Sequence, residues 1–456
     1  MKIPQELAAV PQVRRPALVN GAEYWLRLDR FIERLSLMGD RFVVRMPGSG
    51  AWLCLTRPDD VQAVFRASGD EIHFAEALRM LSPHELVLGP GALTSLDGQR
   101  HLAKRRLMLP AFHGDALARY EPTIEAKAQE LAKQWPVGQA VSAHEQAQRV
   151  TLEIIMAAVF GVTDRDRLDR LRFAVRDLMR EAGSRRFLIQ MMISTARNDQ
   201  FKRPFPAIEA RKAAVDAIVL EEVAARRCKA DSGARDVLGT FLALRDEEGE
   251  PLSDSEICDQ MRLLLIGGHD TTAATLAWVI ERMTHHPAVL AEVERTVRAG
   301  DDSYLDALIH ETLRLRPIFP FTVRLTKQPL ELDGLTVPAE TLVVPLIALI
   351  HRRPEIYPDP LEFRPERFLN TRPGTYSWLP FGGGMRRCIG ASMAMLETRV
   401  ILRTLIQQLD LRPQQPHAEA IKRQTVFIVP ARGASVTAHR RARTGGMTVA
   451  GTTTHP

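Results

Sequence analysis

Residues 381–390, Phe381-Gly-Gly-Gly-Met-Arg-Arg-Cys388-Ile-Gly390, place one cysteine in a glycine-rich loop directly before a long helical pattern. The glycines allow a tight turn and close approach to a ligand, and Arg386 and Arg387 add positive charge. Residues 390–409 have helical periodicity, so a helix N-terminus faces the sulfur and favours negative charge there. These features predict a thiolate at Cys388 rather than a buried structural cysteine. The loop alone leaves open whether that thiolate is a nucleophile or a metal ligand.

The composition is that of a globular protein. Of 456 residues, 45% are hydrophobic and 25% charged, enough for one large core or two or three small ones. The four cysteines have no paired spacing, which excludes a disulfide framework and a zinc site and indicates a reducing compartment. Residues 1–21 contain neither a signal-peptide core nor an apolar run near the roughly 20 residues of a membrane span. We therefore expect a soluble, cytoplasmic protein with at most peripheral membrane contact.

The charge is mildly positive. Lys and Arg number 61 against 55 acidic residues, for a net charge of +6. No aromatic residues alternate with the basic C-terminal residues, as a single-strand nucleic-acid binder would require. We expect no nucleic-acid partner, and a basic patch for an acidic protein partner explains the charge as well.

The hydrophobic periodicity predicts a mainly α-helical fold with small β-sheets. Residues 42–46 and 52–56 read as two strands of a hairpin, and a helix is expected to begin at Pro58. From 117 to 297 apolar residues recur every three or four positions, which indicates a helical body. Short β-rich stretches follow at 321–327, 330–332, 335–337 and 341–344.

The last third of the chain contains a loop and a polar terminus. Residues 352–380 include six prolines and few helical runs, which predicts an ordered loop. We find no internal repeat and no second domain boundary, so residues 1–430 are expected to form one domain. Residues 431–456 are rich in Gly, Thr and Arg, and a disordered tail is expected there.

The longest apolar helix carries residues that a plain core helix avoids. Gly267 and Gly268 cost about 1 kcal/mol each relative to alanine in a helix interior. The hydroxyl of Thr271 can bond back to the carbonyl of Gly267 and open the helix, and Asp270 beside it can carry protons. Tight helix crossing at the glycines, with threonines that satisfy one another, explains the segment equally well.

Three further patterns are weak by themselves. Glu311 and Arg314 are spaced as an ion pair on one helix face, and Pro365-Glu-Arg367-Phe368 reads as a turn with an exposed pair. His101 and Arg105 share a helix face and can grip a carboxylate, although a solvated basic face is the more common explanation.

Taken in order, the segments 267–272, 311–314, 365–368 and 381–390 resemble the four signature segments of the cytochromes P450, the haem-thiolate monooxygenases. The resemblance covers nearly the whole chain. It implies the cytochrome P450 fold, a triangular helical body with haem b between the Thr-containing helix and the helix that follows the cysteine. It also implies that Cys388 is a metal ligand, the axial ligand of haem iron.

The resemblance assigns roles to further residues. Thr271 and Asp270 correspond to the catalytic pair that delivers protons to bound dioxygen, and Arg367 joins Glu311 and Arg314 in a structural network. The resemblance also implies that the haem propionates accept hydrogen bonds from His101, Arg105, Arg324 and Arg386. The remaining cofactor-binding residues are Gly267, Phe381, Gly384 and Gly390.

Two positions depart from the family pattern. The family often has glycine where this chain has Glu340, and aspartate where it has Arg353. Neither touches the chemistry, so they put local loop structure alone in doubt.

The implied activity is hydroxylation or epoxidation of an apolar, lipid-like substrate with dioxygen. Apolar and methionine-rich stretches at 72–93 and 168–217 are expected to select that substrate. Electrons are expected from a ferredoxin or flavodoxin with its NAD(P)H reductase, docked on Lys104, Arg106 and Arg387, and the protein is expected to be a monomer. The alternatives are a peroxide-using or rearranging member of the same fold, and a non-catalytic haem-binding protein.

Overall fold

The computed structural model describes residues 3–161, 164–197, 205–228, 236–245, 249–424 and 426–441. Helices dominate this part of the chain, as the periodicity predicts. The α-helices are α1 (Ala17–Leu26), α2 (Leu28–Leu35), α3 (Pro58–Arg66), α4 (Ala75–Arg79), α5 (His84–Leu88), α6 (Gly98–Met108), α7 (Asp115–Gln134), α8 (Ala143–Phe160), α9 (Arg165–Ala182), α10 (Arg185–Arg197), α11 (Pro206–Arg227), α12 (Val237–Ala243), α13 (Asp254–Thr284), α14 (Pro287–Arg298), α15 (Ser303–Leu315), α16 (Ile347–Ile350) and α17 (Ala391–Gln408).

The strands are short. They are β1 (Arg41–Met46), β2 (Gly50–Leu55), β3 (Ile72–His73), β4 (Ala140–Ser142), β5 (Arg324–Thr326), β6 (Leu330–Leu332), β7 (Leu335–Val337), β8 (Leu342–Pro345), β9 (Leu409–Pro413), β10 (Ile421–Gln424), β11 (Phe427–Pro430) and β12 (Ser435–Arg440). The largest sheet has the order β1-β2-β8-β5-β3, and it contains the predicted hairpin with Phe42 opposite Cys54. Three smaller sheets are β10-β11, β4-β12-β9 and β6-β7.

Helix α13 is the central element of the helical body. Its first turn is held by a capping box, in which Ser253 and Glu256 satisfy each other's backbone N–H groups. By length and composition α13 could cross a membrane, but most of its apolar window is buried inside the protein, as in a soluble core helix. It packs along α8, and its apolar residues join clusters that α7, α15 and α17 complete.

The C-terminal boundary differs from the sequence expectation. Residues 435–440, predicted to belong to a disordered tail, form β12, which pairs with both β4 and β9. Val436 and Ala438 point inward and are buried, whereas His439 and Arg440 are exposed. The alternation of a half-buried strand is therefore present in a segment whose composition suggested disorder, and the prediction of a tail from 431 was wrong for these residues. The rest of the predicted tail, 442–456, lies outside the described residues.

Candidate cofactor and active site

The loop around Cys388 is fixed against α3. Gly384 adopts φ 62°, and a Cβ there would lie 2.3 Å from the carbonyl oxygen of Phe65. A Cβ on Gly383 would overlap the Phe65 ring. The N–H of Cys388 donates to the carbonyl of Phe381 at 2.9 Å, and the Phe381 ring packs on Trp378 with 6.0 Å between centroids. The glycines are therefore required by the close approach of the loop to α3.

Protein surrounds the Cys388 sulfur densely, yet the residue keeps accessible surface. Burial raises the pKa of its thiol, and the N–H of Gly390 and the charges of Arg105 and Arg387 oppose that rise without cancelling it. The protein groups alone therefore do not make the thiolate that the sequence predicted. A coordinating metal cation deprotonates a thiol outright, so this environment fits a metal ligand better than a free nucleophile.

Arg386 does not belong to this electrostatic environment, contrary to the sequence expectation. Its guanidinium pairs with Asp97 at 2.5 Å and donates to the carbonyl of Leu96. Asp97 also accepts the N–H groups of Phe74 and Ala75 at 2.8 and 3.0 Å. Asp97 was not singled out from the sequence, because a lone aspartate before a helix reads as an ordinary cap.

Arg386 instead completes a cation cluster, which consists of His101, Arg105, Arg324 and Arg386. Burial lowers the pKa of Arg324 to about 9 and that of Arg386 to about 10. Burial, followed by the charges of Arg386 and Arg105, lowers the pKa of His101 to about 3. The Nδ1 atom of His101 is buried and has no hydrogen-bond partner among the described residues. The structure thus brings together all four donors that the resemblance assigned to propionates.

The cation cluster fits a dianionic ligand. Arg386 pairs with Asp97 and Arg324 lies within electrostatic reach of it, so one carboxylate stands against the three guanidinium groups of the cluster and two positive charges are in excess. Like charges at this degree of burial are costly unless an anion joins them. Arg105 also lies within electrostatic reach of Cys388, so the cluster and the sulfur are neighbours in the fold. Two carboxylates on a group that also reaches the sulfur would satisfy both.

Two glycines leave room that no protein atom fills. A Cβ on Gly390, at the N-cap of α17, would meet nothing within 4 Å. A Cβ on Gly267 would meet its nearest atom, in Leu263, at 3.9 Å, and Gly267 is exposed although α13 is mostly buried. Gly268 differs, because a Cβ there would lie 3.0 Å from Ile155 on α8. Gly268 therefore serves tight helix crossing, the alternative that the sequence left open, whereas Gly267 leaves open space.

Thr271 has the predicted geometry. Its hydroxyl donates to the carbonyl of Gly267 at 2.6 Å, and its side chain is partly exposed. The threonine thus sits one helical turn from the open glycine and faces the same space. Thr272 makes the equivalent bond to Gly268 at 2.8 Å but is buried.

Asp270 points elsewhere. Its carboxylate accepts from Nε2 of Gln148 on α8 at 2.6 Å and from Nε2 of Gln424 on β10 at 3.4 Å. The side chain is only 2% exposed. The structure therefore does not bring Asp270 and Thr271 into hydrogen-bond contact, and delivery of a proton between them requires Asp270 to rotate away from Gln148.

The ion pair of Glu311 and Arg314 is a buried anchor for the proline-rich loop. Arg314 donates to Glu311 at 2.6 and 2.8 Å and to the carbonyls of His351 and Pro360 at 2.9 and 2.7 Å. Nε of Arg367 lies 3.6 Å from a carboxylate oxygen of Glu311. The alternative of an exposed surface pair is wrong, and the three predicted residues do form one network.

His351 extends that network and was not predicted as a member. Its Nδ1 bonds the carbonyl of Arg314 at 2.9 Å, and its Nε2 accepts the N–H of Leu379 at 2.7 Å. Burial lowers the pKa of His351 to about 3. The network therefore reaches, through Leu379, to within two residues of the loop that contains Cys388.

The described residues contain no group of three or more His, Cys, Asp or Glu side chains placed to hold a metal ion. A single sulfur facing open space, with a cation cluster beside it, instead fits a metal carried by a planar organic dianion. The family model for cytochrome P450 matches residues 11–438. The chain belongs to the cytochrome P450 family.

Relatives agree with this assignment. Cytochrome P450 137 of Mycobacterium tuberculosis is 37% identical over 82% of this chain and 77% of its own. Cytochrome P450 135B1 of Mycobacterium bovis is 37% identical over 87% of this chain and 84% of its own. Among solved structures, retinoic-acid-bound cyanobacterial CYP120A1 has a TM-score of 0.78 at 24% identity and covers 95% of this chain and 99% of its own. The cytochrome P450DA haem domain has a TM-score of 0.77 at 23% identity and covers 95% and 98%.

As a cytochrome P450, the protein is a monooxygenase-family oxidoreductase that binds haem b through a cysteine thiolate. The positive charge of the cation cluster would suit the two propionates of that cofactor, and the open space at Gly267 and Gly390 would leave room for it. The expected fold class is confirmed by these neighbours.

The expected docking surface of this cytochrome P450 needs a correction. Lys104 is 9% exposed and pairs with Glu256 at 2.7 Å, at the capping box of α13. Arg106 and Arg387 are exposed. Two of the three predicted residues, Arg106 and Arg387, are therefore available for a basic docking surface, and Lys104 is not.

The two departures from the family pattern have local explanations. Glu340 adopts φ 58°, a left-handed conformation that favours glycine, and its carboxylate pairs with Nζ of Lys327 at 2.6 Å. Nη1 of Arg353 pairs with Asp40 at 2.6 Å. Both loops therefore keep ordered contacts.

The predicted substrate regions divide into core and surface. Phe187 and Met191 are buried in a core cluster, whereas Ile189 and Ile193 on the same helix are exposed. The exposed pair cannot line the interior in this conformation. Met192 also belongs to the predicted stretch 168–217, but its side chain is not among those described. Phe201, Lys202 and Arg203 lie outside the described residues altogether.

Proposed function

We propose that this cytochrome P450 is a haem-thiolate monooxygenase in which Cys388 is the axial ligand and Thr271 and Asp270 deliver protons. The observation that carries the proposal is the cation cluster with two charges in excess, within electrostatic reach of the Cys388 sulfur through Arg105. Haem bound there would activate dioxygen and transfer one atom of the dioxygen to a C–H or C=C bond of the substrate.

The chain's own residues orient the cofactor and manage protons. His101, Arg105, Arg324 and Arg386 hold the propionates by charge-assisted hydrogen bonds. Gly267 leaves space on the distal side, and the partly exposed hydroxyl of Thr271 holds a proton donor beside that space. A positioned proton is needed because bulk water in the site would divert electrons to peroxide.

The substrate in this proposal is apolar and lipid-like. Leu86 and Val87 on α5 and Leu263 and Ile266 on α13 are partly buried against the same apolar cluster, and the last two lie beside Gly267. Apolar walls with few polar groups suit a hydrocarbon-rich molecule. Arg185 and Arg186 are exposed, so in this conformation they are solvated rather than part of the lining.

Electrons in this proposal come from a ferredoxin or flavodoxin and its NAD(P)H reductase. Arg387 is adjacent to Cys388 and exposed, so an acidic partner docked on it approaches the thiolate side of the haem. Reduction is then expected to slow at high salt.

The test of the ligand is the carbon monoxide difference spectrum of the reduced, haem-loaded full chain. We expect the red-shifted band of a thiolate-ligated haem in the wild type and in Cys228→Ser, an exposed cysteine that serves as control. Cys388→Ser should lose the band. Its persistence in Cys388→Ser, or its absence from the wild type, would overturn the proposal.

The test of the substrate class is a spin-state titration of the same protein with fatty acids, sterols and terpenoids. Conversion from low to high spin is expected for at least one of these lipids. Product formation with NAD(P)H, ferredoxin and reductase, and none with the reductase omitted, distinguishes this activity from peroxide-driven turnover. Conversion by small polar compounds alone would contradict the lipid assignment.

A further inference from the structure

Asp270 and five other polar side chains from three elements lie close together. We call them the outer polar cluster: His144 and Gln148 on α8, His269 and Asp270 on α13, and Lys422 and Gln424 on β10. His144 and Gln148 are four residues apart and share a helix face, and Gln148 bonds Asp270 at 2.6 Å. Lys422 and Gln424 are two apart on one strand, and Gln424 bonds the other Asp270 oxygen.

The outer polar cluster runs from the surface into the core. Lys422 is exposed, His144 is 7% exposed and Asp270 is 2% exposed. Helices α8 and α13 pack along each other and bring their parts of the cluster together. The buried end of the cluster is Asp270, which is adjacent to Thr271 in the sequence. Each member of a buried row of polar side chains must find a hydrogen-bond partner. A row that connects the surface to the interior therefore suggests a role.

His144 has an unusual hydrogen-bond state. Its Nε2 atom is buried and has no hydrogen-bond partner among the described residues. Its backbone N–H is held by the carbonyl of Gly433 at 3.0 Å, which fixes its place at the start of α8. A buried nitrogen without a partner costs about 1–3 kcal/mol, so the site favours a partner such as a mobile carboxylate or water.

Electrostatics connect His144 to Asp270. Burial lowers the pKa of His144, the charge of Asp270 opposes this, and His269 and Lys422 lower the pKa further. These three are the titratable groups that act on it. A neutral imidazole accepts a proton at one nitrogen and donates from the other, which is what a relay needs.

We propose that His144 is a positioning residue that resupplies Asp270 with protons during turnover, an inference that rests on the proposed monooxygenase function. In the step, the Nε2–H bond of His144 breaks and an O–H bond forms on the Asp270 carboxylate. Nδ1 takes up a proton from solvent water in the same step, so the ring stays neutral. The ring then returns to its starting tautomer by losing the Nδ1 proton to water and taking up another at Nε2, so one solvent proton per cycle reaches Asp270 and no electrons move. Gln148 and Gln424 hold Asp270 toward His144 between deliveries.

The competing explanation is that His144 is a core histidine with a structural role alone. It predicts that a substitution lowers stability and leaves proton delivery unchanged. The two explanations therefore differ in the solvent isotope effect and in the share of electrons lost as peroxide.

The experiment compares wild type, His144→Gln, His144→Phe and the exposed control His439→Gln, all as haem-loaded full chains. The probe is the lipid that gives the largest spin-state conversion in the titration above, with ferredoxin and reductase. In both His144 variants we expect the peroxide share to rise about threefold or more and the solvent isotope effect to rise about twofold or more. His439→Gln should match the wild type.

A second readout needs no substrate. In the ferrous carbon monoxide form of ¹⁵N-histidine-labelled protein, Asp270→Asn should lower the pH at which the His144 imidazole titrates, because the favourable charge is gone. An unchanged isotope effect and peroxide share in both His144 variants, even with a lower melting temperature, would overturn the relay. A wild type that lacks the thiolate band or makes no product overturns the proposed function instead.

Discussion

The guanidinium of Arg314 and the carboxylate of Glu311 form a doubly hydrogen-bonded pair at 2.6 and 2.8 Å, and neither side chain is exposed to solvent. Arg314 also donates to the carbonyl of His351, just before the proline-rich loop, and to those of Pro360 and Glu362 within it. One ion pair therefore anchors the loop that leads to Cys388.

Breaking this pair should be costly. Arg314→Met leaves the Glu311 charge buried without its partner, which typically destabilises by about 3–5 kcal/mol. We expect chemical denaturation to show that loss, and purified protein to retain less haem. Arg295→Met removes an exposed partner of Glu292 at the same i,i+3 spacing and should leave stability unchanged. Equal effects of the two substitutions would contradict the buried-anchor interpretation.

Two glycines of the cysteine loop should respond differently to alanine. Gly384→Ala forces a side chain into φ 62° against the Phe65 carbonyl, and we expect about 3 kcal/mol or more of destabilisation with or without haem. The Cβ that Gly390→Ala adds meets no protein atom within 4 Å, so this variant should fold normally but bind haem more weakly. Thermal melts of the cofactor-free and haem-loaded forms separate the two. Normal haem affinity in Gly390→Ala would show that the cofactor does not occupy this space.

Acid should destabilise the protein partly through His351. Its folded pKa of about 3 lies below the ordinary value of 6.5, so below pH 6.5 the unfolded chain binds a proton that the folded protein does not. That contribution to stability is complete above pH 6.5 and is lost as pH falls toward 3. Between pH 7 and 5, His351→Gln should reduce the slope of unfolding free energy by up to about 1.4 kcal/mol per pH unit. The exposed control His439→Gln should keep the wild-type slope.

Reduction by an acidic ferredoxin should depend on Arg387 but not on Lys104. Arg387→Met is expected to slow stopped-flow reduction at low salt by about tenfold and to weaken its salt dependence. Lys104 is already paired with Glu256, so Lys104→Met should change stability more than the reduction rate. A larger effect of Lys104→Met than of Arg387→Met on the reduction rate would contradict a docking surface at Arg387.

The hydroxyl of Thr271 should control how electrons are used. Thr271→Ala is expected to raise the peroxide share of NAD(P)H oxidation several-fold, whereas Thr271→Ser should stay near wild type. Thr272→Ala removes the same kind of backbone hydrogen bond one residue later, in a buried position, and serves as control. Similar peroxide production by both alanine variants would indicate a helix distortion rather than a proton-delivery role.

Local patterns predicted much of this structure. The hairpin, α13, α17 and the loop of 352–380 follow from turn residues and hydrophobic spacing. The bond from Thr271 to Gly267 was predicted because a threonine four residues after a carbonyl can reach it. In β12 the alternation of Val436 and Ala438 was available, but the composition of the segment outweighed it.

Other features depend on which distant segments meet, and a single sequence does not specify that. Lys104 reads as a surface cation until Glu256, 152 residues later, is placed beside it. Asp270 reads as a partner of Thr271 because they are adjacent in sequence, yet adjacent helix positions point about 100° apart. Gln148, which decides where Asp270 points, lies in an unremarkable stretch of α8 and carries no local signal.

The cation cluster has a consequence for how the protein is made. The guanidinium groups of Arg105, Arg324 and Arg386 outnumber the one carboxylate of Asp97 and repel each other until an anionic ligand joins them, so the cofactor-free protein carries an electrostatic penalty here. A ligand that binds the native state alone stabilises it in proportion to its availability. Cofactor supply during biosynthesis should then set the yield of intact protein, and cells short of haem should degrade this chain rather than accumulate it.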